Sequence, residues 1–273
     1  MRCPMKDNTA INEKNKSLSS LRLLKIMEAL SEKRQPVRLI NLSKELGLTQ
    51  ATVFRYLNAL CTSGYAYQDP VTNSYSLSLR VCRLSDNLKA NHNTRDLIDP
   101  FLTSFSARLN IGVLLAMEKD GMVKYIDTVM NPDNSIRTLT RIGRDAPIHS
   151  TASGKILLSG MSFLQVTRLI EEKGLPQLTE YTICDQNALV RELNETRSRG
   201  YALDNEECEI GHRCVSVPVY DYTGRVVAAV SAFDNTENLT DERIRESILP
   251  ELKKMSGQVS YRLGFQPEVP FNR

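Results

Sequence analysis

The chain contains no tryptophan, only three histidines and 6% aromatic residues in 273. With His92, His149 and His212 as the whole histidine supply, acid–base and His-ligated metal chemistry have little to draw on. Neither a G-x-S-x-G nucleophile elbow nor an H-E-x-x-H pair occurs. No apolar run approaches the ~20 residues that a bilayer span requires. The opening "MRCPMKDNTAINEKNKSLSS" lacks the apolar core of a secretory signal, so a cytoplasmic location with no membrane partner is expected. Six scattered cysteines (Cys3, Cys61, Cys82, Cys184, Cys208, Cys214) read as reduced thiols rather than a disulfide scaffold. A phosphate loop is missing too. "HSTASGK" (149–155) ends in Gly-Lys, but His149 stands where a P-loop has its first Gly, and Ile156 where it has its hydroxyl. A Ser-x-x-Lys nucleophile fails as well, because Ala152 precedes Lys155 by three. No enzyme activity, cofactor or metal is therefore expected.

What is present is an uneven charge. Residues 1–92 carry 14 Lys/Arg against 7 Asp/Glu, whereas the remaining 181 residues carry 21 against 25. A basic module beside an acidic one points to a polyanion partner for the first alone. In that module, Leu18, Leu21, Leu24, Met27 and Leu30 recur at helical spacing, so a first helix with these residues on the core is expected over 18–30. Leu39, Leu42 and Leu46 mark a second helix ended by Gly47. Thr49 is a fitting N-cap for a third, with Val53, Leu57 and Leu60 facing inward. Two short helices about a tight turn form a helix-turn-helix, whose second helix enters the DNA major groove by its N-terminal end. Its outer face is expected to show Thr49, Gln50, Ala51, Thr52, Arg55 and Tyr56, with Arg22, Lys25, Arg38 and Lys44 as phosphate contacts. Alternation on both sides of "DPVTN" predicts a hairpin wing.

"TVFRYLNAL" (52–60), "GYAYQDPVTNSYSLSLR", the run 200–231 and "HSTASGK" together resemble the IclR family of bacterial transcriptional regulators. In the run 200–231, Gly200, Asp204, Glu207, Cys214, Ser216 and Asp221 fall on the family's signature spacing. The resemblance is strongest to the subgroup answering to sugar-acid catabolites such as 2-keto-3-deoxygluconate. It implies an α+β chain: an N-terminal winged helix-turn-helix, a linker helix, and a C-terminal GAF-like effector-binding and oligomerisation domain with an antiparallel sheet. It also implies Asp204, Cys214 and Ser231 as effector-binding groups. Gln50 and Ala51 stand where the family commonly has a basic residue and Ser, and His212 where it has an aliphatic one.

The residues of the C-terminal two thirds point the same way. Hairpins are expected about "KDG" (119–121) and "YTG" (222–224), a strand over "SIRTLTRIG" (135–143), and helices in 153–160, 162–174, 187–200 and 240–264. The resulting division is a disordered tail (1–17), the winged module (18–78), a linker helix (79–93), the effector domain (94–265) and a tail (266–273). If "TASGKILLSG" opens a helix, Ser150, Thr151, Ala152 and Ser153 lie at its N-terminus, where free N–H groups and the dipole favour an anion. That makes the run one wall of a pocket for a small organic acid, a sugar acid or keto acid; plain helix capping is the alternative. Arg141 and Lys155 read as solvated or structural charges. Cys208, His212 and Cys214 lack the paired CxxC that would make a zinc site persuasive. The expected function is a regulator, acting as a repressor of a carbohydrate or sugar-acid operon, that binds double-stranded operator DNA as a homodimer or tetramer. A winged-helix protein-interaction module and a metabolite-binding enzyme are the alternatives.

Overall fold

The computed structural model describes residues 8–91, 94–129 and 145–266. The strand expected over 135–143, Arg141, Cys3 and His92 lie outside the described residues, as does nearly all of the expected tail 266–273. The chain divides into two compact units, 1–92 and 93–273.

The first unit contains α1 (Asn8–Ser31), β1 (Val37–Arg38), α2 (Leu39–Leu46), α3 (Gln50–Thr62), β2 (Ala66–Gln68), β3 (Ser74–Leu77) and α4 (Arg80–Asn91). Helix α1 begins at Asn8, so residues 8–17, read from the sequence as part of a disordered tail, continue the first helix. The expected apolar stripe of α1 holds only at its C-terminal end: Leu30 is buried and Met27 packs against the core, but Leu18, Leu21 and Leu24 are 45–53% exposed, and the core takes Ile26 and Ala29 as well. Helices α2 and α3 are short, and the face they cover is the one carrying Ile26 and Leu30, with Leu42, Val53, Leu57 and Leu60 opposite. Gly47 ends α2 in the left-handed region (φ 62°), and the Leu48 N–H reaches back to the Ser43 carbonyl at 3.1 Å. The turn into α3 is thereby fixed within three residues. The wing is a β2–β3 hairpin whose tip is tied by Asp69 Oδ1 accepting from the Val71 and Thr72 N–H groups at 2.9 and 2.7 Å. The two-residue β1, too short for any periodic signal, joins it in the order β1-β3-β2.

The second unit is a six-stranded antiparallel sheet, β6-β5-β4-β9-β8-β7, between two helical layers. Its strands are β4 (Gly112–Lys119), β5 (Met122–Val129), β6 (Asp145–Pro147), β7 (Ala202–Asn205), β8 (His212–Tyr220) and β9 (Val226–Asn235). On one face lie α5 (Thr94–Leu109) and α10 (Leu249–Arg262), packing Phe105, Leu252 and Val259 on Val113, Val217 and Val230. On the other lie α6 (Ala152–Ser159), α7 (Phe163–Lys173) and α8 (Gln186–Arg199), packing Leu158, Val166 and Leu189 on Ala116, Val123 and Ala229. Because both faces of the sheet are covered, central strand β4 is apolar at consecutive positions rather than alternating. Asp120 and Gly121, both at positive φ, close the β4–β5 hairpin. Helix α5 escaped the sequence reading because Pro100 lies inside it. The final helical run starts as α9 (Asp241–Arg243) and passes through a π-helical turn (Ile244–Ile248) just before Pro250, which has no N–H to continue an α-helical ladder.

Candidate DNA-reading helix and effector pocket

Thr49 caps α3, its Oγ1 accepting from the Thr52 N–H at 3.3 Å and lying 2.9 Å from Thr52 Oγ1. Gln50, Ala51 and Arg55 are exposed beside it, and Thr52 is half-buried. Tyr56 departs from the expectation that it lies on the outer face. It is only 7% exposed, packed in the core of the unit, with its hydroxyl 2.8 Å from Ser19 Oγ. The helical period explains this: Tyr56 sits next to the inward-facing Leu57 and only three residues from Val53. Its ring supports Arg55, whose guanidinium lies 5.0 Å from the ring centroid and donates to the Tyr56 hydroxyl at 3.2 Å. Arg55 is thus held along the helix surface. Phe54, not identified from the sequence, is 53% exposed one turn after Gln50. Lys25, Arg38 and Lys44 are exposed and Arg22 half-buried.

In the second unit, Thr151 caps α6 in the same way, its Oγ1 accepting from the Gly154 N–H at 3.0 Å. Glycine is required at 154 because a Cβ there would lie 1.9 Å from the Ile148 carbonyl oxygen, so the first turn rests directly on preceding backbone. This turn forms one wall of a small cavity between α6 and strands β4, β5, β7, β8 and β9. Of the expected effector residues, Thr151, Ser153, Asp204 and Cys214 line it. Ser150, Ala152 and Ser231 are fully buried outside its lining; Ser231 lies behind Ser153, 2.8 Å away between hydroxyl oxygens. The sequence reading missed Leu114, Tyr125, Arg213 and Phe233, and it placed His212 only beside a pocket wall. Strand alternation carried part of that signal, since His212 and Phe233 are two residues from Cys214 and Ser231. The strand register does the rest. Asp204, Cys214, Phe233 and Gly112 form one cross-strand row, and a Cβ at Gly112 would come within 2.4 Å of the Phe233 ring.

Asp204 is 6% exposed, and its Oδ1 accepts from the Glu207 and Cys208 N–H groups at 2.9 and 3.2 Å. Burial pushes its carboxyl up to about 7; the nearby Glu207 carboxylate adds to this, while those N–H groups and Lys155 oppose it. Near neutral pH the group is therefore available both as donor and as acceptor. Lys155, only 1% exposed, points away from the cavity into a buried ion network. Its ammonium pairs with Glu207 and donates to the Leu203 carbonyl at 2.8 Å, with Glu192 3.9 Å away and in turn held by Arg199 at 2.6 Å. His149 places Nε2 3.1 Å from the Pro176 carbonyl, which can only accept, and burial lowers its pKa. It is a neutral structural histidine, not a base for Ser150. His212 has the Glu209 carboxylate 3.7 Å from Nε2, and among the described residues no group of three or more His, Cys, Asp or Glu is arranged to hold a metal.

A helix-turn-helix unit followed by an α/β unit with a cavity bordered by Thr151, Ser153, Asp204 and Cys214 is the make-up of a ligand-responsive transcription regulator. Two family models match in that order: the IclR helix-turn-helix domain over residues 19–70 and the bacterial transcriptional regulator IclR C-terminal domain over residues 87–261. The chain belongs to the IclR family of bacterial transcriptional regulators, which are not enzymes. It is 32% identical over 259 residues to the HTH-type transcriptional regulator KdgR of Escherichia coli, covering 93% of this chain and 97% of that protein. It is 30% identical over 244 residues to E. coli XynR, covering 89% and 96%. Among solved structures, the Thermotoga maritima IclR matches with a TM-score of 0.60 at 27% identity, covering 91% of this chain and all of that one.

Proposed function

We propose that the protein represses a carbohydrate or sugar-acid catabolic operon, binding a near-palindromic operator in the cytoplasm as a homodimer or tetramer. A sugar acid or keto acid in the α6 pocket controls its affinity. The observation that carries this reading is the pairing of two Thr-capped helix ends, one presenting Gln50, Ala51 and Arg55 to solvent and the other presenting Ser153 to a cavity. On DNA, Gln50 suits adenine, Arg55 suits guanine or phosphate, and the exposed Phe54 suits a thymine methyl. Arg22, Lys25, Arg38 and Lys44 supply phosphate contacts. Thr49 and Thr52 set the entry of the helix. In the pocket, Thr151, Ser153, Asp204 and Cys214 hold the effector's polar groups, Ser150 and Ala152 shape the turn beneath it, and Ser231 acts through Ser153. Relatives support the repressor assignment, among them the acetate operon repressor of Salmonella typhimurium, 30% identical over 230 residues. Control requires the effector to bind the DNA-competent and DNA-incompetent states with different affinity.

The test is selection of genomic fragments by the purified protein, with and without pooled sugar and keto acids. A few retained sites with a palindromic core are expected, half-sites lying ~34 Å apart. Affinity for them should fall steeply with salt and roughly tenfold or more in Arg55→Ala. Retention of random fragments under both conditions contradicts the reading.

A further inference from the structure

Three buried serine hydroxyls run from the pocket wall into the sheet. Ser153 Oγ lies 2.8 Å from Ser231 Oγ, Ser231 Oγ lies 2.8 Å from Ser216 Oγ, and Ser216 Oγ lies 3.3 Å from the Val230 carbonyl oxygen. Only Ser153 borders the cavity; Ser231 and Ser216 are 0% exposed. The direction of this chain is set at its inner end. A carbonyl oxygen only accepts, so the single hydrogen of Ser216 goes to Val230. Ser231 then donates to Ser216, and Ser153 has Ser231 as its acceptor. The Ser153 hydroxyl consequently turns lone pairs, not a hydrogen, towards the cavity. Its neighbour Thr151 repeats the arrangement, with Oγ1 accepting from Gly154 and directing its own hydrogen at the Pro147 carbonyl, 3.5 Å away.

We propose that Ser216, although it never reaches the pocket, is a specificity-determining residue. By orienting the serine chain it makes Ser153 an acceptor, so the effector group seated there is a hydroxyl and the effector is a hydroxy acid. This rests on the reading of the cavity as the effector pocket. A keto or carboxylate oxygen at the same point would face Ser153 lone pair to lone pair. Accommodating it requires reversing the chain, which deprives the buried Val230 carbonyl of its serine donor. Replacing Ser216 by Ala removes the inner anchor. Ser231 then has no serine acceptor beyond it and can donate back to Ser153, whose hydrogen becomes free for the cavity.

Calorimetric titration of the full chain with two matched pairs, lactate against pyruvate and D-gluconate against 2-keto-D-gluconate, tests this. The wild type should favour the hydroxy member of at least one pair by about tenfold, the equivalent of one satisfied against one unsatisfied hydrogen bond. Ser216→Ala should bring the two members within about twofold. Ser231→Ala cuts the same chain one step nearer the pocket, should have the same effect, and serves if Ser216→Ala does not fold. A hydroxy-to-keto ratio unchanged in a folded variant, a wild-type preference for the keto members, or no binding of any of the four acids overturns the proposal. Ser153→Leu separates the two levels of inference. If it abolishes binding while Ser216→Ala leaves the ratio unchanged, the pocket stands and the serine-direction proposal falls. If binding survives Ser153→Leu, both fall.

Discussion

Helices α3 and α6 open with the same local device and end in opposite environments. "TQATVFR" and "TASGKIL" each begin with a threonine whose Oγ1 caps the N–H three residues on. Position by position the two then diverge. Gln50, Ala51, Phe54 and Arg55 are exposed, whereas Ala152, Ser153, Ile156 and Leu157 are all buried. The fourth residue after the cap is buried in both, but it is Val53 in one and Lys155 in the other. Burying Lys155 obliges the fold to provide Glu207 and the Leu203 carbonyl, since an unpaired interior ammonium costs far more than a valine. A surface helix end is free to read a partner of any shape. A buried one reads only what its surroundings admit, which is how, in the function proposed above, one structural code would serve an operator in one unit and a small molecule in the other.

The comparison breaks most sharply at Gly154 and its counterpart Thr52. Gly154→Ala should destabilise the second unit by about 5 kcal/mol, the range of severe core conflicts, because the intruding methyl meets backbone that cannot step aside. Thr52→Ala should cost about 0.5 kcal/mol, a typical surface value. Chemical denaturation of both variants measures the contrast, and equal losses would contradict it.

A smaller effect comes from Asp204, which has no charged counterpart on α3. Its folded pKa, about 7 against an ordinary 3.8, means that its contribution to stability is fully present below 3.8 and is lost as pH rises to about 7. Asp204→Asn lacks that titration. The stability of the variant relative to wild type should therefore improve by about 3 kcal/mol between pH 4.5 and 7.5, at 1.36 kcal/mol per unit over the part of the shift inside that range. A difference that stays flat across this interval would show that burial does not control the carboxyl. The smallest contrast concerns the caps themselves. Thr151→Ala leaves a buried Gly154 N–H without its acceptor and should cost about 2 kcal/mol; Thr49→Ala leaves a solvent-exposed one and should cost about 1 kcal/mol. Thermal unfolding of the pair gives the ordering, and a greater loss at Thr49 would reverse the argument.

The sequence by itself determined the local code: the Thr49 cap, the Gly47 stop, the Asp120-Gly121 hairpin and the inward set Val53, Leu57 and Leu60. Each of these follows from backbone geometry or a short period that neighbours in the chain impose on one another. The helix-start reading of Thr151 and Ser153 and the family resemblance at Asp204 and Cys214 also singled out four residues that line one cavity. Tertiary structure decided what local pattern leaves open. Leu18, Leu21 and Leu24 have the right period for a core, yet only a neighbouring element can cover a stripe, and the short α2 and α3 cover the other side of α1. Tyr56 turned inward for the same reason. Leu114, Tyr125 and Phe233 reach the pocket through strand register across β5, β4 and β9, and Ser231 was set behind Ser153 rather than beside it. Registers, buried ion pairs and the direction of a hydroxyl chain depend on atoms far apart in sequence, so they exist only once the sheet has assembled and water has been excluded from between its layers.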